Sequence, residues 1–146
     1  MKSLLISLTL LFSVSALAHE GHGEMPTELS KFGGNMGNVV SETKMKAKAK
    51  TNPPLMKAEI VRTDSGTVRV YLYDLKMNQI KVDGLSKEAQ GIVDNRKAKT
   101  KDKFTLTAHG DHFMGTMPKQ KKRPFDIYVT FSKGTEKLFV GFDNLD

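Results

Sequence analysis

Residues 125–131 alternate without a break. Phe125, Ile127, Val129 and Phe131 are large and apolar, and Asp126, Tyr128 and Thr130 stand between them. A period of two puts successive side chains on opposite faces of an extended chain, so this stretch predicts a half-buried strand and not an amphipathic helix, whose period is 3.6. The pattern recurs on both sides of it. Residues 55–63 place Met56, Ala58 and Ile60 on one face. Residues 67–74 set Val68, Val70 and Leu72 against Arg69, Tyr71 and Tyr73. Phe104, Leu106 and Ala108 alternate with Thr105 and Thr107, and Leu138, Val140 and Phe142 turn away from Phe139. Turn formers separate these runs: Asp64-Ser65-Gly66, residues 76–79, His109-Gly110-Asp111 and Lys133-Gly134. Seven or eight short strands at roughly ten-residue spacing predict an all-β chain folded as an antiparallel β-sandwich. Its core is predicted to hold Ile60, Val70, Leu72, Leu106, Ile127, Val129, Val140 and Phe142.

The first third of the chain lacks this pattern. Lys2 precedes an apolar run over residues 4–14, too short to span a bilayer, and Ala16-Leu17-Ala18 is a small-x-small cleavage site. This predicts a signal peptide over residues 1–18, a mature N-terminus at His19, and a periplasmic or secreted protein. No later apolar run is long enough to cross a membrane. Residues 19–54 are rich in Gly, Lys, Asn, Thr and Glu, with a charge run over 44–50 that reads as solvated coil or a frayed turn. Pro53-Pro54 imposes an extended kink. The expected organisation is therefore a flexible N-terminal arm over 19–54, with Val39-Val40 adding at most one edge strand. The sandwich domain, of immunoglobulin or cupredoxin-like kind, is expected over 55–146. Cysteine is absent, which excludes disulfides, thiol catalysis and Cys-ligated zinc.

A set of short motifs carries a resemblance. Phe32-Gly33-Gly34 is followed by residues 58–61, by Val68-x-Val70-Tyr71-x-Tyr73-Asp74, and by Ile80-x-Val82. Gly91-x-Val93, Phe104-x-Leu106 and a closing Val129…Leu138-x-Val140-x-Phe142 complete it. This series resembles the small exported β-sandwich domains that accompany bacterial heavy-metal efflux adaptors. The opening His19-Glu20-Gly21-His22 is similar to the His-rich mature starts of such proteins. The resemblance implies a metal-handling neighbourhood and a metal-efflux or other envelope protein as partner. Where those domains carry a histidine beside the glycine pair, this chain has Phe32.

The residues themselves allow two chemistries. His19, as a mature N-terminus, offers an imidazole and an α-amine to one ion, and His22 lies close behind. A further imidazole from His109 or His112 would complete a nitrogen set suited to Cu(II), with Asp111 orienting a ring from behind. His112-x-Met114 and Met114-x-x-Met117 add thioether sulfur, a Cu(I)-type donor, although alternation turns Met117 away from Met114. The plainer reading makes these surface histidines and core methionines. The second chemistry is electrostatic. The net charge is +7, and Lys119, Lys121, Lys122 and Arg123 form an exposed basic loop suited to an anionic envelope surface. The positive charge also serves solubility alone. Nucleic acid is not an expected partner of an exported chain without an aromatic-rich binding face. No nucleophile motif accompanies His109 and Asp111, so no enzymatic activity is expected. The leading expectation is an exported, non-enzymatic metal-binding or metal-resistance accessory protein, with copper as the favoured cofactor. The alternative is a structural or interaction domain that meets an anionic envelope partner through its basic loops.

Overall fold

In the computed structural model, which describes residues 30–146, every alternating run is a strand. In chain order the elements are β1 (Asn35–Ser41), a one-turn helix α1 (Glu42–Lys46), β2 (Met56–Arg62), β3 (Thr67–Tyr73) and a two-residue β4 (Gln79–Ile80). They continue with β5 (Glu88–Asn95), β6 (Thr100–His109), β7 (His112–Thr116), β8 (Phe125–Lys133) and β9 (Glu136–Leu145). The signal peptide read over 1–18, together with His19 and His22, lies outside the described residues.

The sheet is a closed antiparallel barrel of eight staves, not a sandwich. Hydrogen-bonded neighbours run β1-β9-β8-β5-β6-β7-β3, and β2 closes the ring by pairing with both β3 and β1. β4 is a short appendage on β3. The correction turns on β1. Residues 35–41, inside the stretch expected to be a flexible arm with at most one edge strand, are a stave, in register with β2 from Asn35↔Ile60 to Val39↔Met56 and with β9 at Val40↔Phe139 and Ser41↔Leu138. The boundary expected at Pro53-Pro54 therefore falls inside the barrel. Alternation states which side chains face inward, but it is the same for a sandwich and a barrel; only the pairing of the first strand with the last separates them.

Smaller differences have local causes. The charged run after β1 is partly helical: Ser41 caps α1 through its Oγ, which accepts from the Lys44 N–H at 3.5 Å, and Lys46 pairs with Glu42 at 2.8 Å one turn apart. The strand expected over 80–82 ends at Ile80 and gives way to a 3-10 turn at Val82–Gly84. The long charged connection expected over 95–103 shrinks to residues 96–99, because β5 and β6 pair as far as Asn95↔Thr100.

The inward row of each stave fills the barrel. All eight predicted core residues are buried, joined by Val39, Ala58, Val68, Val93, Phe113, Phe131 and Leu138 among others. An eight-stranded barrel is just wide enough for its own side chains to fill. The fit is tight at Gly91: a Cβ there would lie 2.3 Å from the Phe104 ring, so that ring occupies the volume a side chain would need. Gly91→Val is expected to cost about 1–3 kcal/mol through overpacking, read as a lowered thermal midpoint. Outward positions are mostly polar, such as Lys57, Arg69, Glu88, Gln90, Lys103, Thr105, Thr130 and Lys137. An apolar interior with a charged exterior is the reverse of a lipid-facing barrel. Among the described residues no helix is long and apolar enough to cross a membrane.

Candidate functional site

The β6–β7 hairpin brings His109 and His112 together as a cross-strand pair. Only Gly110 and Asp111 connect them. Gly110 takes φ +71°, a conformation that favours glycine, and the Asp111 N–H donates to the His109 carbonyl across it at 2.8 Å. The Val82 N–H donates to the Gly110 carbonyl at 2.9 Å and ties the tip to the neighbouring 3-10 turn. The two imidazole centroids are 6.1 Å apart, with planes 22° from parallel. His112 Nδ1 lies 2.6 Å from Asp111 Oδ1. An ionised carboxylate only accepts, so Nδ1 carries the proton, and in the neutral ring Nε2 keeps the free lone pair. The same hydrogen bond to His112 is the main reason that the exposed Asp111 carboxyl sits below its ordinary range.

The methionines divide. Met114 lies on the outer face two residues after His112, opposite Arg69 and Thr107. Met117 leaves the strand and packs partly against the core, as alternation implied. His112 instead has aromatic company. Its ring lies 5.0 Å from Tyr71, which stacks on Phe32 at 4.1 Å, so Phe32, Tyr71, His112 and His109 form a row of rings across the outer wall.

Phe32 reaches that row because of Glu59, a residue that sequence reading passed over. Glu59 points outward from β2, yet it is fully buried because residues 31–34 fold across it. Its Oε1 accepts the Phe32 and Gly34 N–H groups at 2.9 and 2.8 Å. Its Oε2 accepts the Lys31 N–H at 2.9 Å and the Tyr73 hydroxyl at 2.8 Å. Burial pushes the Glu59 carboxyl up, but the hydrogen bonds from Gly34, Lys31, Tyr73 and Phe32 outweigh it and hold the group below its ordinary value. Burial and the facing carboxylate push the Tyr73 phenol up, which keeps it a donor. Gly34 is required: a Cβ there would lie 2.2 Å from the Ile60 carbonyl oxygen. The Phe32-Gly33-Gly34 motif thus closes over a buried anion. The only sequence signal was an acidic residue directly before the apolar Ile60-Val61 pair.

The basic loop also divides. Asn95, fully buried at the end of β5, donates through Nδ2 to Gln120 Oε1 at 3.0 Å and to the Lys122 carbonyl at 2.8 Å, and so pins the loop. Lys122 turns its ammonium to the Lys97 carbonyl at 3.3 Å, and Lys121 is exposed. Lys119 and Arg123 instead line a cleft of about 190 Å³ beside the β2–β3 turn, together with Arg62. Arg62 was also missed. Its parity with Met56, Ala58 and Ile60 was legible, but a cation ending an apolar row carried no meaning until the barrel end was known.

Among the described residues no three His, Cys, Asp or Glu side chains gather into a group that could hold a metal ion. Comparison with protein-family models, curated proteins and solved structures finds no match to this chain.

Proposed function

We propose that this chain is an exported, non-enzymatic metal-binding protein of the metal-resistance kind, with copper as the favoured ion and the β6–β7 hairpin as its main ligand-bearing element. The observation that carries the reading is the Asp111–His112 contact at 2.6 Å. A carboxylate on one ring nitrogen fixes the tautomer, raises the basicity of the other nitrogen and presents it to a metal. His109, across the hairpin, is the second donor. Two imidazoles do not make a complete copper site, so the reading draws its remaining nitrogens from His19, by imidazole and α-amine, and from His22. Met114 is the soft donor within reach of the same face, available to Cu(I). Met117, packed toward the core, is left out of the ligand set.

Calorimetric titration with Cu(II) tests this. The parent chain, beginning at His19, is expected to bind at micromolar copper or below. His109→Ala, His112→Ala and one added residue before His19 should each weaken binding at least about tenfold, or about 1.4 kcal/mol. Asp111→Asn should weaken it by about 10–100-fold without removing a ligand. Acidification should weaken binding, since protons compete with the metal for its nitrogen ligands. Neutralising Lys119, Lys121, Lys122 and Arg123 together should leave the copper affinity unchanged. No binding at micromolar copper by the parent chain would defeat the reading.

A further inference from the structure

β7 begins at the histidine hairpin and ends at Thr116, one residue before Met117, which lines the cleft that holds Arg62, Lys119 and Arg123. This cleft lies at the opposite end of the strand from His112 and owes nothing to the metal reading. Arg62 is half-buried, and its guanidinium carbon stands 5.3 Å from the centroid of the Phe125 ring. Among the described residues it takes part in no ion pair. A guanidinium has five N–H donors and is the side chain best shaped to grip an oxyanion. Burial, and then the nearby charge of Arg123, push the Arg62 guanidinium below its ordinary value, while Asp146 works in the opposite direction. Three cations thus share a small space with two carboxylate side chains, Asp64 and Asp146. The hydroxyls of Thr63 and Ser65 line the same space. The loop that carries Lys119 and Arg123 is anchored at Gln120 and Lys122 by Asn95, so it is held beside the cleft.

We propose that this cleft binds a phosphoryl group, with Arg62 as the central cation and Lys119 and Arg123 as its flanking partners. The choice of phosphoryl follows from number and size. A carboxylate satisfies one guanidinium fork, whereas a phosphoryl group spreads charge over three terminal oxygens that two guanidinium groups and an ammonium can share. A volume of about 190 Å³ is below the roughly 300 Å³ at which drug-sized pockets begin, so it admits the group and a small substituent. The phosphoryl group has two sources in an exported setting: a free phosphate compound or the head group of an anionic lipid.

The test uses the chain from His19 and two probes. Inorganic phosphate is followed by phosphorus NMR line broadening, and vesicles of phosphatidylglycerol in phosphatidylcholine are followed by co-sedimentation. Binding of phosphate at millimolar concentration or below, weakened at least tenfold by Arg62→Gln and by Arg123→Gln, supports the site with a free ligand. Binding to the vesicles alone, with the same loss in both variants, supports it with a lipid head group. Arg62→Lys should fall between parent and Arg62→Gln, and it keeps the test decisive if Arg62→Gln fails to fold. The paired change Lys121→Gln and Lys122→Gln, outside the cleft, should alter either affinity less than twofold. Equal loss in that pair and in Arg62→Gln would mean diffuse charge attraction and overturn the proposal, as would no binding to either probe.

Discussion

A chain that starts at Leu55 is expected not to fold. It retains every strongly alternating segment, and as a sandwich it would be a complete domain. As a barrel it has lost a stave. Removing β1 strips the Asn35–Val39 register from β2 and the Val40–Ser41 pairing from β9, which leaves two open edges and their unpaired backbone groups. It empties the place of Val39, which is fully buried. It also removes the three N–H groups that residues 31–34 donate to Glu59, exposing one face of the core beside a carboxylate stripped of most of its partners. These losses together exceed the roughly 5–15 kcal/mol of net stability of an ordinary domain. The expected result is a collapsed amide spectrum by NMR and no cooperative thermal transition, where the full chain is expected to give both dispersion and a transition. A truncated chain that unfolds cooperatively with the strand signal of the full chain would show that β1 is dispensable and that closure is not what holds the fold.

The second large effect is expected at Glu59. Glu59→Ala leaves the Tyr73 hydroxyl and the N–H groups of Lys31, Phe32 and Gly34 without their acceptor in a buried place. Breaking a buried charged network of this kind costs about 3–5 kcal/mol, or roughly 10–20 °C in thermal midpoint for a domain of this size. Gly34→Ala should act in the same direction, because its Cβ would collide with the Ile60 carbonyl at 2.2 Å. The network also has a pH signature. The folded pKa of Glu59 lies below its ordinary value of 4.5. Its contribution is therefore complete above the unfolded value and is lost as pH falls through the folded one. The stability gap between the parent and Glu59→Gln should be widest near neutrality and should narrow progressively below about pH 4.5. A gap that stays constant from pH 7 to pH 3 would mean that the carboxylate charge contributes nothing.

These two expectations bear on different elements from the ones that the sequence makes conspicuous. The strands themselves were legible, because Val68, Val70 and Leu72, or Ile127, Val129 and Phe131, alternate with residues that water tolerates, and a period of two admits one local geometry. The inward face followed from the same periodicity, so all eight predicted core residues are buried, within a larger core. The histidine pair was also legible, since a glycine at a hairpin tip places its flanking residues opposite each other. The division of the methionines followed from parity in the same way.

What the tertiary structure decided was everything that depends on which strand meets which. β1 carries Asn35, Gly37 and Asn38, residues that read as turn or coil. Gly37 is there because β9 passes so close that a Cβ would lie 2.7 Å from Val140 Cγ2, a contact with no local signature. Glu59 holds an outward, polar position that alternation assigns to water. It is buried only because a segment 25 to 28 residues earlier lays its N–H groups over it. Arg62 became a site residue when closure placed the end of its row beside Lys119 and Arg123, more than fifty positions away. Periodicity reports the environment of each side chain along its own strand, whereas closure, the buried carboxylate and the cationic cleft arise from contacts between strands distant in the chain.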